Sequence, residues 1–195
     1  MCFGIVAPAS PSALPERKID VNVNAAYENI ISRRTIRKFK ADPVPRELVD
    51  QVIEAGLWAP SGMGSQSPIV VAVTDEETHQ RLAKANRDAV GFPGDSDPFY
   101  GAPVILIVLA SREVPTHVYD GSCALENMQL AAHALGLGSI WVHRAQQVFD
   151  LPEWREWLEG LGIEGDFEGV GHCCIGYADQ AGNAAERKPG RVFWA

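Results

Sequence analysis

Residues 102–111 read APVILIVLAS, ten positions of which only the last is polar. A run of this length suits a strand better than a helix, and a strand with apolar side chains on both faces needs cover on both faces. A chain carrying it is expected to cover a central sheet with helical material. With 195 residues it has enough surface to bury one such core and is short for two.

The rest of the sequence supplies the partners. From Asn24, NAAYENIISRR offers a capping residue and then Tyr27, Ile30 and Ile31 at helical spacing. PRELVDQVIEAGLWAP has Pro45 where a first turn tolerates proline and an apolar face of Leu48, Val49, Val52, Ile53 and Ala55. IVVAVT at 69–74 reads as a buried strand, and DEETHQRLAKA as a short amphipathic helix. In GSCALENMQLAAHALGLG, Leu125, Met128, Ala132 and Leu135 share a helix face that Gly136 stops. SIWV is a third strand and GVGHCCIGYA, 169–178, a fourth; between them DLPEWREWLEGLG reads as a helix with Asp150 and Glu153 as a capping box around Pro152. Residues 86–101, with three glycines, two prolines and exposed-looking aromatics, read as a mobile loop or lid. Residues 1–22, with Pro8, Pro11 and Pro15, read as a flexible N-terminal arm, leaving 23–195 as a single domain. Strands interleaved with helices make an α/β or α+β sandwich.

Charge is distributed unevenly. SRRTIRKFK, residues 32–40, gathers Arg33, Arg34, Arg37, Lys38 and Lys40, five of the 17 basic residues in a chain of net charge -8. That balance argues against a general nucleic-acid binder, whose affinity rests on neutralising many phosphates. A small anion fits better: arginine forks match phosphate oxygens, Thr35 adds a hydroxyl, and Ile36 and Phe39 between the basic residues suggest an extended, half-buried segment. Beside it stands APSGMGSQSP, 59–68, a loop of small and polar residues.

Other chemistries find little support. GLGS at 136–139 follows a helix and enters a strand, the reverse of a dinucleotide-binding turn, and there is no phosphate-loop motif or serine-nucleophile elbow. His79, His117, His133, His143 and His172 are scattered without metal spacing, so no metal site is expected. Cys2, Cys123, Cys173 and Cys174 form no C-x-x-C pair; the last two sit in an apolar run, and reduced thiols in an intracellular compartment fit them. The opening MCFGIVAPAS lacks a basic leader region, and no apolar stretch reaches the length of a membrane span, so neither a signal peptide nor a membrane partner is expected.

ISRRTIRKFKADPVPRELVDQVIEAGLWAPSGMGSQSP resembles the N-terminal part of the nitroreductase family of flavin enzymes, whose members carry an R-R-S-x-R-x-F stretch, a helix, and an A-P-S-x-x-N-x-Q-P-W loop. CALENMQLAAHALGLGSIWV resembles the family's central dimer helix and following strand, and IGYADQAGNAAERK its closing segment with a basic pair, so the likeness runs in order from about residue 27 to 191. The resemblance implies an α+β fold, a three-layer α/β/α sandwich with a central mixed sheet flanked by helices, assembled as a cytoplasmic homodimer with FMN at the interface. It implies an enzyme that takes hydride from NADH or NADPH and reduces nitroaromatics, quinones or similar small electron-poor acceptors by a ping-pong mechanism, the flavin carrying the chemistry and no side chain acting as acid or base. Arg33 and Thr35 would hold the phosphate, helped by Arg187 or Lys188, with Arg34 beside them and Arg37 nearer the pyrimidine edge of the ring. Pro60, Ser61, Gly62 and Gly64 would come from the partner subunit, and backbone near His143 and Arg144 would approach the ring at N5. Gly64 stands where members usually have Asn, so that amide contact is either missing or supplied from elsewhere, with Gln66 the candidate. Phe92, Phe99, Tyr100 and Trp141 are candidates to shape the substrate pocket. The same resemblance covers narrower relatives, dehalogenating or flavin-degrading, and flavin-binding proteins without reductase activity.

Overall fold

The computed structural model describes residues 24–89, 91, 94 and 96–195. The arm expected over 1–22 and the candidate pocket residue Phe92 lie outside the described residues. Among the described residues, six α-helices and four strands follow in the order α1 (Ala25–Ser32), α2 (Arg46–Leu57), β1 (Pro68–Val73), α3 (Glu76–Asp88), β2 (Val104–Ser111), α4 (His117–Ala134), β3 (Gly138–Val142), α5 (Ala145–Phe149), α6 (Pro152–Gly160) and β4 (Phe167–Gly176), with a short 3-10 turn at Gly62–Gly64.

The apolar run becomes β2, an inner strand of a sheet ordered β1-β2-β4-β3, and Val104 to Ala110 are buried without a break. Alternation sorts its side chains between two cores. Ile105, Ile107 and Leu109 pack with Leu82 of α3, Val148 and Phe149 of α5, and Trp154 of α6. Leu106, Val108 and Ala110 pack with Val49 and Val52 of α2 and with Leu125 and Met128 of α4. Each fully buried Leu, Ile or Phe contributes on the order of 1.5–3 kcal/mol of transfer free energy, so covering both faces is what stabilises this strand. The α+β, three-layer architecture is thus present.

Several local expectations need correction. All three ladders of the sheet are antiparallel; the parallel pairing implied by a mixed sheet is reduced to one isolated bridge, Thr35 with Ser139. The capping box does not form: Leu151 is the cap residue of α6, and the Asp150 carboxylate instead accepts from Arg112 Nη2 at 2.8 Å and Arg155 Nη2 at 3.2 Å. A guanidinium outcompetes a backbone N–H for a carboxylate because it is charged. α4 begins a turn earlier than its apolar pattern suggests, at His117. Asn86 to Asp88 complete α3, and Phe99, expected to be exposed, is fully buried in the core. The reason is Asp97, whose carboxylate accepts from the Phe99 and Gly101 backbone N–H groups at 2.9 and 2.7 Å and faces His79 Nε2 at 3.2 Å, fixing the turn that drives the ring inward. Tyr27, Ile30 and Ile31 keep their helical spacing, but α1 buries none of its residues within this chain.

Candidate functional site

The basic segment leaves α1 and crosses the end of the sheet in extended form. Ile36 N donates to Ser139 O at 3.0 Å, Lys40 N to Tyr177 O at 2.8 Å, and Asp179 N to Lys38 O at 2.9 Å, so the segment is stitched to β3 and to the exit of β4. Ile36 fits because Gly138 has no side chain; a Cβ there would overlap the Ile36 side chain. Ile36 is buried while Arg37 and Lys38 after it stay exposed on the outside of the stitch.

Two cavities border this segment. The first, of about 400 Å³, is lined by Arg33, Arg34, His133, Ser139 and Gly182 among others. Of these lining residues, Arg33 and Ser139 each carry a buried polar atom, Nη1 and Oγ, with no hydrogen-bond partner among the described residues. Two orphaned donors on residues lining one basic cavity are unusual, since buried polar groups are nearly always paired. The Arg34 guanidinium has a different task, donating to Ile31 O and Arg33 O, both at 2.7 Å, where it satisfies the open C-terminal carbonyls of α1. His133 Nε2 pairs with Ser32 Oγ at 2.8 Å; burial and then the positive charge of Arg33 and Arg34 hold its pKa below the usual histidine value. That depression reflects burial first and the two arginine charges second.

The second cavity, of about 410 Å³, lies at the other end of β3, between Arg37, Asn86, Tyr100, Trp141, His143 and Arg144. Asn86 is buried; its Nδ2 donates to Leu82 O at 3.0 Å, while its Oδ1 has no partner among the described residues. Arg144 sits with a left-handed backbone, φ 84°, at the start of α5. From Arg33 in the first cavity to Arg37 in the second is four residue steps, roughly 13–14 Å if fully extended. A ligand with an anionic end and a flat, hydrogen-bonding end could occupy both.

The small-residue loop is elsewhere in the chain and lines neither cavity. It is held at the first turn of α4, where Gly62 N donates to Asp120 Oδ1 at 2.9 Å and Ser67 Oγ to Oδ2 at 3.0 Å. Ser61 Oγ accepts from Gln66 N at 2.9 Å, closing the loop on itself, and Met63, Gly64 and Gln66 all have left-handed backbones. Pro60 and Gly64 are exposed.

Of the sequence candidates, then, Arg33 and Arg34 meet at the first cavity, Arg37, His143 and Arg144 at the second, with Thr35 bridged to Ser139 between them. Arg187 and Lys188 are exposed on the C-terminal segment, which reaches the first cavity at Ala178 and Gly182. Tyr100 and Trp141 line the second cavity, whereas Phe99 belongs to the core. Sequence reasoning missed Ser139 and Asn86. Each is a polar residue inside an otherwise buried face, a signal that local pattern alone attributes to a strand start or a helix end.

The comparisons with known proteins bear on the fold. The model of the Nitroreductase family matches residues 30–177. A protein of Methanothermobacter thermautotrophicus is 30% identical over 144 residues, covering 65% of this chain and 69% of that one. The NADPH-flavin oxidoreductase of Vibrio harveyi is 26% identical over 190 residues, covering 87% of this chain and 72% of that one. A crystal structure of a nitroreductase with bound FMN from Bacteroides fragilis superposes with a TM-score of 0.78 at 28% identity, over 88% of this chain and 99% of that chain. With the family model spanning the basic segment, the second cavity and the whole sheet, this chain belongs to the nitroreductase family.

Proposed function

We propose that the protein is an FMN-dependent oxidoreductase that takes electrons from NADH or NADPH and delivers them to small electron-poor acceptors such as nitroaromatics or quinones. The observation that carries this reading is a set of buried, unpartnered polar atoms on residues that line two cavities at opposite ends of β3: Arg33 Nη1 and Ser139 Oγ at the first, Asn86 Oδ1 at the second. FMN has the complementary groups, a phosphate at one end and at the other a ring with one imide N–H. The similarity to an FMN-containing nitroreductase and to an NADPH-flavin oxidoreductase supports the same assignment.

In this reading Arg33, Ser139 and Thr35 donate to the phosphate, and Arg187 and Lys188 close over it from the C-terminal segment. Arg34 shapes the cavity by holding the end of α1. Arg37 supplies positive charge at the pyrimidine edge, where a reduced ring is anionic, and Asn86 Oδ1 accepts the imide N–H. Backbone at His143 and Arg144 faces the central ring edge. Pro60, Ser61, Gly62, Gly64 and Gln66 serve the flavin of a second copy, which makes the working unit a homodimer. When bound, FMN supplies the hydride chemistry, with donor and acceptor using one open face in turn. The chain's residues bind and orient, and protons come from water. The free thiols of Cys123, Cys173 and Cys174 suit a reducing, cytoplasmic setting. No helix among the described residues is long and apolar enough to cross a membrane.

The test is spectroscopic. Purified protein is mixed with FMN, freed of excess flavin, and given NADH or NADPH under anaerobic conditions. A retained visible flavin band that bleaches is the expected result. A retained band that stays unbleached by either donor would identify a flavin binder without reductase activity, and loss of the band on desalting would overturn the reading.

A further inference from the structure

Asp120 lies in the first turn of α4, and only 4% of its surface is exposed. Its carboxylate gathers four hydrogen bonds. Oδ1 accepts from Gly62 N at 2.9 Å, and Oδ2 accepts from Ser67 Oγ at 3.0 Å, Thr116 Oγ1 at 3.1 Å and Ser65 Oγ at 3.3 Å. All four donors are neutral, and three belong to the 61–67 loop. Burying a carboxylate against neutral donors is an expensive way to tie down a surface loop, because the ion gives up hydration worth several kcal/mol. Apolar packing could close such a loop at less cost. What a many-bonded carboxylate adds is a defined geometry.

The loop needs one. Met63 and Gln66 have φ of 54° and 48°, a left-handed conformation that is unfavourable for side chains other than glycine, and Gly64 between them has φ 68°. Such strain persists where the surroundings over-determine the backbone. Gly62 has no room for a side chain against Thr116, so the loop is pressed onto α4 at this point. Yet its tip contributes nothing to the core of its own chain, and Met63 is wholly exposed. The loop is held rigidly in order to be presented outward.

We infer that Asp120 is a positioning residue of the flavin site: it holds the 61–67 loop in the strained shape in which one subunit offers it to the flavin of the other. This rests on the function proposed above and assigns a role that the family match does not. Because the loop meets ring and ribityl chain, while Arg33 meets phosphate, the two residues act on separable parts of one ligand.

That separation supplies the experiment. Affinities for FMN and for riboflavin, which lacks the phosphate, are measured by fluorescence titration on wild type, Asp120→Asn and Arg33→Ala, alongside far-UV circular dichroism and thermal melting. Asn has the same volume but points an N–H₂ group at donors. We expect Asp120→Asn to weaken FMN and riboflavin by the same factor, about tenfold or more, as expected for losing charged hydrogen bonds, and Arg33→Ala to weaken FMN alone. A merely structural role would lower the melting temperature while leaving both affinities of the folded protein unchanged, and that result would overturn the inference. Should Asp120→Asn not fold, Ser67→Ala keeps the charge and removes one bond; both ligands should then bind several-fold more weakly, and unchanged binding refutes the idea. A wild type that binds neither ligand sinks the flavin reading and this inference together. Wild-type binding with indifferent variants sinks this inference alone.

Discussion

A single orphaned atom carries more information about this site than the charge of the segment around it. Lys38 and Lys40 are exposed, and Lys38 pairs with Asp179 at 2.6 Å, so part of the basic cluster is ordinary surface. Arg33 differs because one of its nitrogens is buried without a partner among the described residues. Arg33→Ala should therefore raise the dissociation constant for FMN by tenfold to a hundredfold, the equivalent of about 1.5–3 kcal/mol for a charged hydrogen bond; equilibrium dialysis reads it directly. His172 makes a second residue-scale prediction. Burial lowers its pKa from 6.5 to about 4, outweighing the bond from its ring to Val142 O, and the ring packs against Phe99 at 5.2 Å. The unfolded chain binds a proton below pH 6.5 that the folded protein refuses until about pH 4. Stability is thus full above 6.5 and falls as pH drops, by on the order of 3 kcal/mol in total. In urea titrations at pH 7 and pH 4.5, His172→Leu should lose less stability on acidification than wild type does.

Among the elements, the short α5 shows how packing sets a site wall that local sequence does not announce. It follows β3 directly, and Ala145 lies against β4 where Gly169 leaves a gap. A Cβ on Gly169 would sit 2.5 Å from the Ala145 carbonyl group, which is backbone and has no rotamer to change. Gly169→Ala should cost roughly 1–3 kcal/mol as an overpacked core site and push α5 away from the sheet. Since His143 and Arg144 lead into α5 and line the second cavity, flavin affinity should fall with the melting temperature in this variant. The pairing of the two losses is the check. By contrast, β2 was legible from its composition, because a strand covered on both faces has one simple signature. The extent of α4 was not, because its first turn is held by Asp120 and Thr116 and carries exposed Val118 and Tyr119 in place of a continuing apolar stripe.

For the whole molecule, the unburied face of α1 is the leading feature. Tyr27, Ile30 and Ile31 are each about half exposed, at 53%, 56% and 50%, on a helix that buries nothing within its own chain. Such a helix has little tertiary support alone, since an amphipathic face is stabilised by what it packs against. We propose that the partner subunit of the homodimer supplies that support. Replacing Ile30 and Ile31 together by Glu should give a species that sediments as a monomer and retains no FMN after desalting, with the secondary structure of the sheet core unchanged. A double variant that remains dimeric would place the interface elsewhere.

The division between what the chain announces and what it conceals follows from the range of the interactions. Sequence alone determined where the buried strands and amphipathic helices lie, a sheet covered by helices, and a positive segment suited to a small anion, because periodicity and charge are local properties; the three-layer arrangement came from the family resemblance. Resemblance to a family added the order of the motifs. Only the tertiary structure decided that the ladders run antiparallel, that the Asp150 carboxylate answers the guanidinium groups of Arg112 and Arg155 and caps no backbone, that Asn86 and Ser139, each lining a cavity, each carry an unanswered buried polar atom, and that Asp120 reaches across more than fifty residues to hold a strained loop. A side chain's period tells which face it lies on. Which distant residue meets it there is settled by packing, and a hydrogen bond between far-separated positions leaves no mark on either one's neighbours.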